Sequence, residues 1–248
     1  MILSIKTEMC FLVFLYFCVM ISLRTFLPVT GTGLIVQYQF IMVSLIITMV
    51  FYLIYVKKRN RVIAKKIATY LENNQFDECE KYLKKCVKAY PESVWMKTEE
   101  AMLAVFAGNF DKYKFLVSQF SDSEISKSKK YKDVFPQVDI LLAYFNNDNV
   151  EFNAKFDNNT CLNKAINIIK FHSNTEKESD IKKELLFLYE SPYFLFKTFA
   201  SLFYAQILYN DSDYIKYEWY IKKAFEYSPS EEVTQCIQKH IDATNNQI

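Results

Sequence analysis

This sequence predicts an all-α protein in two parts, an N-terminal two-helix transmembrane hairpin followed by an α-solenoid of helix pairs. Three observations predict it. Residues 34–56 form an apolar run without a charged side chain, long enough at about 1.5 Å per helical residue to cross a hydrocarbon core of about 30 Å. Six cations follow within ten residues: Lys57, Lys58, Arg59, Arg61, Lys65 and Lys66. Beyond Lys66 apolar residues return every three or four positions without sustained alternation, which is the helical period.

Taken in order, the first span covers about residues 9–27, after Lys6 and Glu8, and stops at Pro28. No small-residue cleavage site follows and a second apolar run arrives within about ten residues, so the pair reads as a retained hairpin rather than a removable leader. Pro28, Gly31 and Gly33 make the external turn. On the second span, residues 34–56, Tyr38 marks the outer interface and Tyr52 and Tyr55 the inner one. Ser44 and Thr48, four residues apart, form a small-residue face that packs on the first span or on another copy. The basic cluster is a stop-transfer flank that keeps everything after it in the cytoplasm, and it also offers anionic lipid heads about 1 kcal/mol per close cation. Residues 1–61 are therefore the membrane anchor and 62–248 a cytosolic domain. With no proline or glycine between Leu34 and Pro91, the second span continues as one helix to Leu71.

The charge is unevenly divided. Residues 67–248 carry 22 basic and 27 acidic side chains, so the soluble part is mildly acidic. Nucleic acid is thereby disfavoured as a partner, because phosphate-backbone binding needs a basic face. Six cysteines are scattered without a Cys-x-x-Cys pair, which indicates neither a metal site nor a disulfide framework and fits a reducing compartment. Lysine outnumbers arginine 27 to 3, a bias towards A/T-rich codons that points to a bacterial source and hence an inner membrane.

Ten or eleven helices are expected beyond Lys66, in antiparallel pairs broken by polar clusters such as Asn73-Asn74-Gln75 and Asn146-Asn147-Asp148. Asp77 with Glu80, Asp148 with Glu151, and Ser228 with Glu231 have the spacing of helix-starting caps. Residues 121–133 and 172–180 read as connections. The thirteen uncharged residues 198–210 are too few for a third span and predict a buried helix.

Two helix junctions repeat: Asn74-Gln75-Phe76-Asp77 and Gly108-Asn109-Phe110-Asp111, whose aromatics lie 34 residues apart, and a third, Ser212-Asp213-Tyr214, follows near three further periods. Ala101 and Ala205 precede their turns by seven residues, and Pro91 and Pro229 follow their turn aromatics by fifteen. In these features the chain resembles the tetratricopeptide repeat family, whose unit is a 34-residue helix pair. The resemblance covers three of five pairs; Ile67 and Phe120 replace small residues, and residues 126–200 match poorly. It implies a stacked array with a concave protein- or peptide-binding groove lined by the first helix of each pair, here Trp95, Thr98 and Met102, with Gln206 and Tyr209.

Catalytic and cofactor chemistry has no foothold in the pattern. Gly108 is the single glycine after residue 33, so no glycine-rich loop can cradle phosphate. His172 and His240 are isolated, and a lone histidine reads as solvated. Glu99-Glu100 and Glu231-Glu232 are adjacent, which on a helix splays them about 100° apart. The expected function is a non-enzymatic membrane-tethered scaffold that recruits a protein. The alternative is an accessory or immunity-type subunit of a larger membrane complex, motivated by Ser44 and Thr48. No cofactor or metal is expected.

Overall fold

The computed structural model describes residues 5–26, 34–91, 93–127, 132–148, 160–172 and 178–245. Among these the chain is all-α, with twelve helices and no strand. It divides into two compact units, residues 1–69 with 84–92, and residues 70–83 with 93–248.

The first unit is built on α1 (Ile5–Phe26) and α2 (Leu34–Glu72). α2 runs 39 residues without a break, as the absence of proline and glycine requires. α1 lies antiparallel along it, the Phe11 ring 5.6 Å from that of Tyr55 and Glu8 reaching Arg59 at 2.6 Å. Between Ile41 and Ile54, ten large apolar side chains of α2 are exposed, Met49 at 63 % and Ile46 at 58 %. Water tolerates no such surface without a cover. One described stretch, Ile41–Glu72, is long and apolar enough to cross a bilayer, while α1 contributes the shorter apolar stretch Cys10–Ser22. The expected turn at Pro28, Gly31 and Gly33 lies outside the described residues, as do Glu151 and most of the connection after His172.

The second unit takes up the remaining helices. α3 (Phe76–Ala89) begins in it, and its last residues, with Tyr90, belong to the first unit. There follow α4 (Val94–Phe106), α5 (Phe110–Ser118), α6 (Asp122–Lys127), α7 (Phe135–Asn146), α8 (Cys161–His172), α9 (Glu178–Tyr189), α10 (Phe194–Asn210), α11 (Tyr214–Tyr227) and α12 (Glu231–Asn245). Four helix ends share one device. Asn74, Gly108, Asn147 and Ser212 all have φ between 54° and 69°, and each is framed by the same two bonds, such as Gly108 N–H to Val105 O and Asn109 N–H to Ala104 O, or Ser212 N–H to Tyr209 O and Asp213 N–H to Leu208 O. This left-handed stop satisfies the last carbonyls of the helix and reverses the chain. Asn109 and Asp213 then cap the next helix by accepting from the amides of Lys112 and Lys216.

α6 corrects the reading of residues 121–133 as a connection. The Ser121 amide and hydroxyl both donate to the Glu124 carboxylate at 2.9 Å, the return half of a capping box, and that pair starts a short helix. The cap of α12 is Ser230 rather than Ser228: its Oγ accepts the Val233 amide at 3.1 Å.

Consecutive helices pack on each other, α4 with α5, α7 with α8, and α8 through α11 in sequence. An aromatic seam joins them, Phe110 to Phe145 at 5.6 Å, Phe145 to Phe199 at 6.4 Å and Phe199 to Phe203 at 5.8 Å. α10 is the buried helix expected, with Phe199, Phe203 and Leu195 at 0–1 % exposure. α12 does more than extend the row. It returns to α7, and its start docks on the α4–α5 turn, where Ser230 donates to Gly108 O at 2.7 Å and Glu232 accepts the Phe110 amide at 2.8 Å. A Cβ on Gly108 would come within 2.7 Å of both Ser230 Oγ and Val233 Cγ2. Glycine therefore serves both the positive φ and the close approach.

Candidate functional site

The residues expected to line a groove have divided roles. Trp95 and Met102 are half-buried, and Met102 packs on the core. Thr98 is 1 % exposed, with its hydroxyl bonded to Val94 O at 2.8 Å, so it belongs to the interior. Tyr209 is half-buried and stacks on Tyr214 and Tyr217 of α11 at 5.7 and 5.3 Å.

Gln206 enters a closed polar ring. The Tyr144 hydroxyl donates to Gln206 Oε1 at 2.9 Å, Gln206 Nε2 meets His240 Nδ1 at 2.9 Å, and His240 Nε2 meets Tyr144 O at 2.8 Å. A carbonyl only accepts, so His240 carries its proton on Nε2 and accepts on Nδ1. Burial lowers the His240 pKa and raises that of the Tyr144 hydroxyl, and both groups stay neutral. The ring ties α7, α10 and α12 together. His240 is thus 4 % exposed, not solvated as its isolation in the sequence suggested. The side chain of His172 lies outside the described set.

Several large apolar side chains of the second unit are exposed, among them Phe115, Leu186 and Phe187, and three more lie on α11. Ile215 is 85 % exposed, Tyr214 55 % and Trp219 48 %. Helical spacing puts Ile215 and Trp219 on one side of the helix. Trp219 packs on Tyr220 at 4.7 Å and Tyr220 on Tyr204 at 4.7 Å, and further along α11 Tyr227 packs on Tyr189 at 5.8 Å. Lys223 lies over the Trp219 ring at 5.6 Å. Burial raises the Tyr220 hydroxyl pKa. The face is apolar at Ile215 and Trp219 and is flanked by the charged side chains of Lys216, Lys222 and Lys223. The signal was present in the sequence as Tyr214-Ile215 and Trp219 on a helix face that otherwise carries lysine and glutamate.

In the first unit Ser44 is fully buried and Thr48 is 3 % exposed, the Thr48 hydroxyl donating to Ser44 O at 2.8 Å. Thr48 also lines an open apolar cleft of about 390 Å³ together with Leu12, Val13 and Tyr16 of α1 and Met42, Leu45, Ile46, Met49 and Tyr52 of α2. Of the six flank cations, Lys57, Lys58, Arg61, Lys65 and Lys66 are exposed, and Arg59 alone is drawn in.

No group of three or more metal-ligating side chains occurs among the described residues. No protein-family model, curated protein or solved structure matches the chain.

Proposed function

We propose that the chain is a non-enzymatic, membrane-tethered helical scaffold that holds a protein partner beside a bacterial inner membrane. In this reading α2 spans the bilayer, α1 is the second span, and the exposed flank cations keep the helical unit on the cytoplasmic side and rest on anionic lipid heads. Tethering raises the local concentration of whatever the unit binds. The observation that carries recruitment is the exposed apolar face of α11, with Ile215 at 85 % exposure and Trp219 at 48 %, the latter packed on Tyr220. The tetratricopeptide-like reading draws support from the left-handed stop shared by the junctions before Phe76, Phe110 and Tyr214. The return of α12 to α7 speaks against an open array in which each pair meets only its neighbours.

The experiment is gentle extraction of full-length protein from its native membrane, compared with an Ile215→Glu, Trp219→Glu variant. One or more soluble proteins recovered with the parent and lost from the variant support the proposal. The same proteins recovered with both would remove α11 from it.

The second reading, an accessory subunit of a membrane complex, is favoured by the open apolar cleft between α1 and α2, where a neighbouring membrane helix would seat a side chain. The Ser44 and Thr48 face no longer supports it, because both residues are already covered within the unit.

A further inference from the structure

Glu8 stands in the first turn of α1, where the helix dipole favours a carboxylate. Yet it does not face solvent. It is 5 % exposed and is turned onto α2, where Arg59 Nη1 donates to its two oxygens at 2.6 and 2.8 Å. The Tyr90 hydroxyl donates to Oε1 at 2.6 Å, and the Tyr55 hydroxyl reaches the same atom at 3.4 Å. Arg59 in turn lies 4.1 Å over the Tyr90 ring, and its Nε and Nη2 both donate to Asn60 Oδ1 at 3.2 Å. A stop-transfer cation needs none of this. The other five flank cations are exposed, whereas Arg59 is drawn in against an anion, an aromatic face and an amide.

We propose that Glu8 is a carboxylate latch: it fixes the register of α1 on α2 and holds the Tyr90 end of α3 to both, so that these segments hold or separate together according to whether the Glu8–Arg59 pair is intact. The physical reason is asymmetry. Removal of one charge from this largely buried, fully bonded pair leaves the other desolvated without a partner. The latch also sets geometry along the helices. From Glu8 to Phe26, α1 rises about 27 Å, so with its start pinned at the level of Arg59 it reaches along α2 to about the level of Ile41. In this respect the inference deepens the two-span reading.

The test uses full-length protein in mild detergent, with Cys10 and Cys18 replaced by serine and cysteines placed at Val13 and Met49. Both positions are exposed and line the same cleft. A short bismaleimide bridges them in high yield in the parent. In Glu8→Gln and in Arg59→Gln the yield falls at least threefold, and the melting temperature of the double variant falls no further than that of the worse single. Unchanged bridging in both single variants, or melting losses that add, would overturn the latch. Should neither single variant accumulate, Tyr90→Phe decides. It removes one hydroxyl and keeps the ring under Arg59, and a lowered melting temperature supports the latch while an unchanged one overturns it. Flotation of the parent with liposomes separates this from the membrane reading. A parent that bridges but does not float keeps the latch and loses the spans.

Discussion

Both units bury a polar cluster, but one is ionic and the other neutral. In the first, Glu8 and Arg59 form an ion pair joined by Tyr90; in the second, Tyr144, Gln206 and His240 close a ring without net charge. The difference teaches where each unit is vulnerable. The ionic cluster fails when one charge is removed, whereas the neutral ring fails when a charge is added.

The largest expected effect breaks the ionic side. Glu8→Gln or Arg59→Gln should each destabilise the first unit by about 3–5 kcal/mol, measured by chemical denaturation of the full chain in detergent, with the double variant well short of the sum. Next comes the α12 closure of the second unit. Gly108→Ala must hold a left-handed φ and push Cβ against Ser230 and Val233, which should cost about 3 kcal/mol from strain and overpacking together. That loss should appear in the transition of the helical unit.

Acid breaks the neutral ring. The folded pKa of His240 is lowered by burial, so the unfolded chain binds the proton first. Stability contributed by the ring is full above about pH 6.5 and declines as pH falls from there towards the folded pKa, by at most about 1.4 kcal/mol per pH unit. His240→Asn should flatten that slope in melting curves between pH 8 and pH 5, and a slope left intact would remove His240 as its source. A smaller effect attaches to Asn74, whose side chain bonds Pro192 O and the Phe194 amide and whose φ is 54°. Asn74→Ala should cost about 1 kcal/mol. The smallest belongs to the surface. Ile215→Glu with Trp219→Glu should leave stability within about 0.5 kcal/mol while abolishing partner capture.

The same contrast explains what the sequence made legible. α2 was readable because an uncharged run and an unbroken absence of proline and glycine are local facts. The turns at Asn74, Gly108 and Ser212 were readable because the left-handed stop needs particular residues in particular order. Both buried polar clusters were invisible for one reason: their members lie 31 to 96 residues apart in the chain, and nothing local distinguishes Arg59 from the five exposed cations around it, or His240 from a surface histidine. Thr98 and Gln206 were assigned to a groove by repeat position alone. That position says which helix of a pair they sit on, but α12, arriving from the far end of the chain, decides which side of α10 is inside.

Recruitment of protein through α11 of a tethered unit can be read with a photo-cross-linking residue at position 215 of the full-length chain in native membranes. The account predicts a discrete adduct with one protein, lost when Trp219 is replaced by glutamate. Adducts with lipid alone, or none, would contradict it.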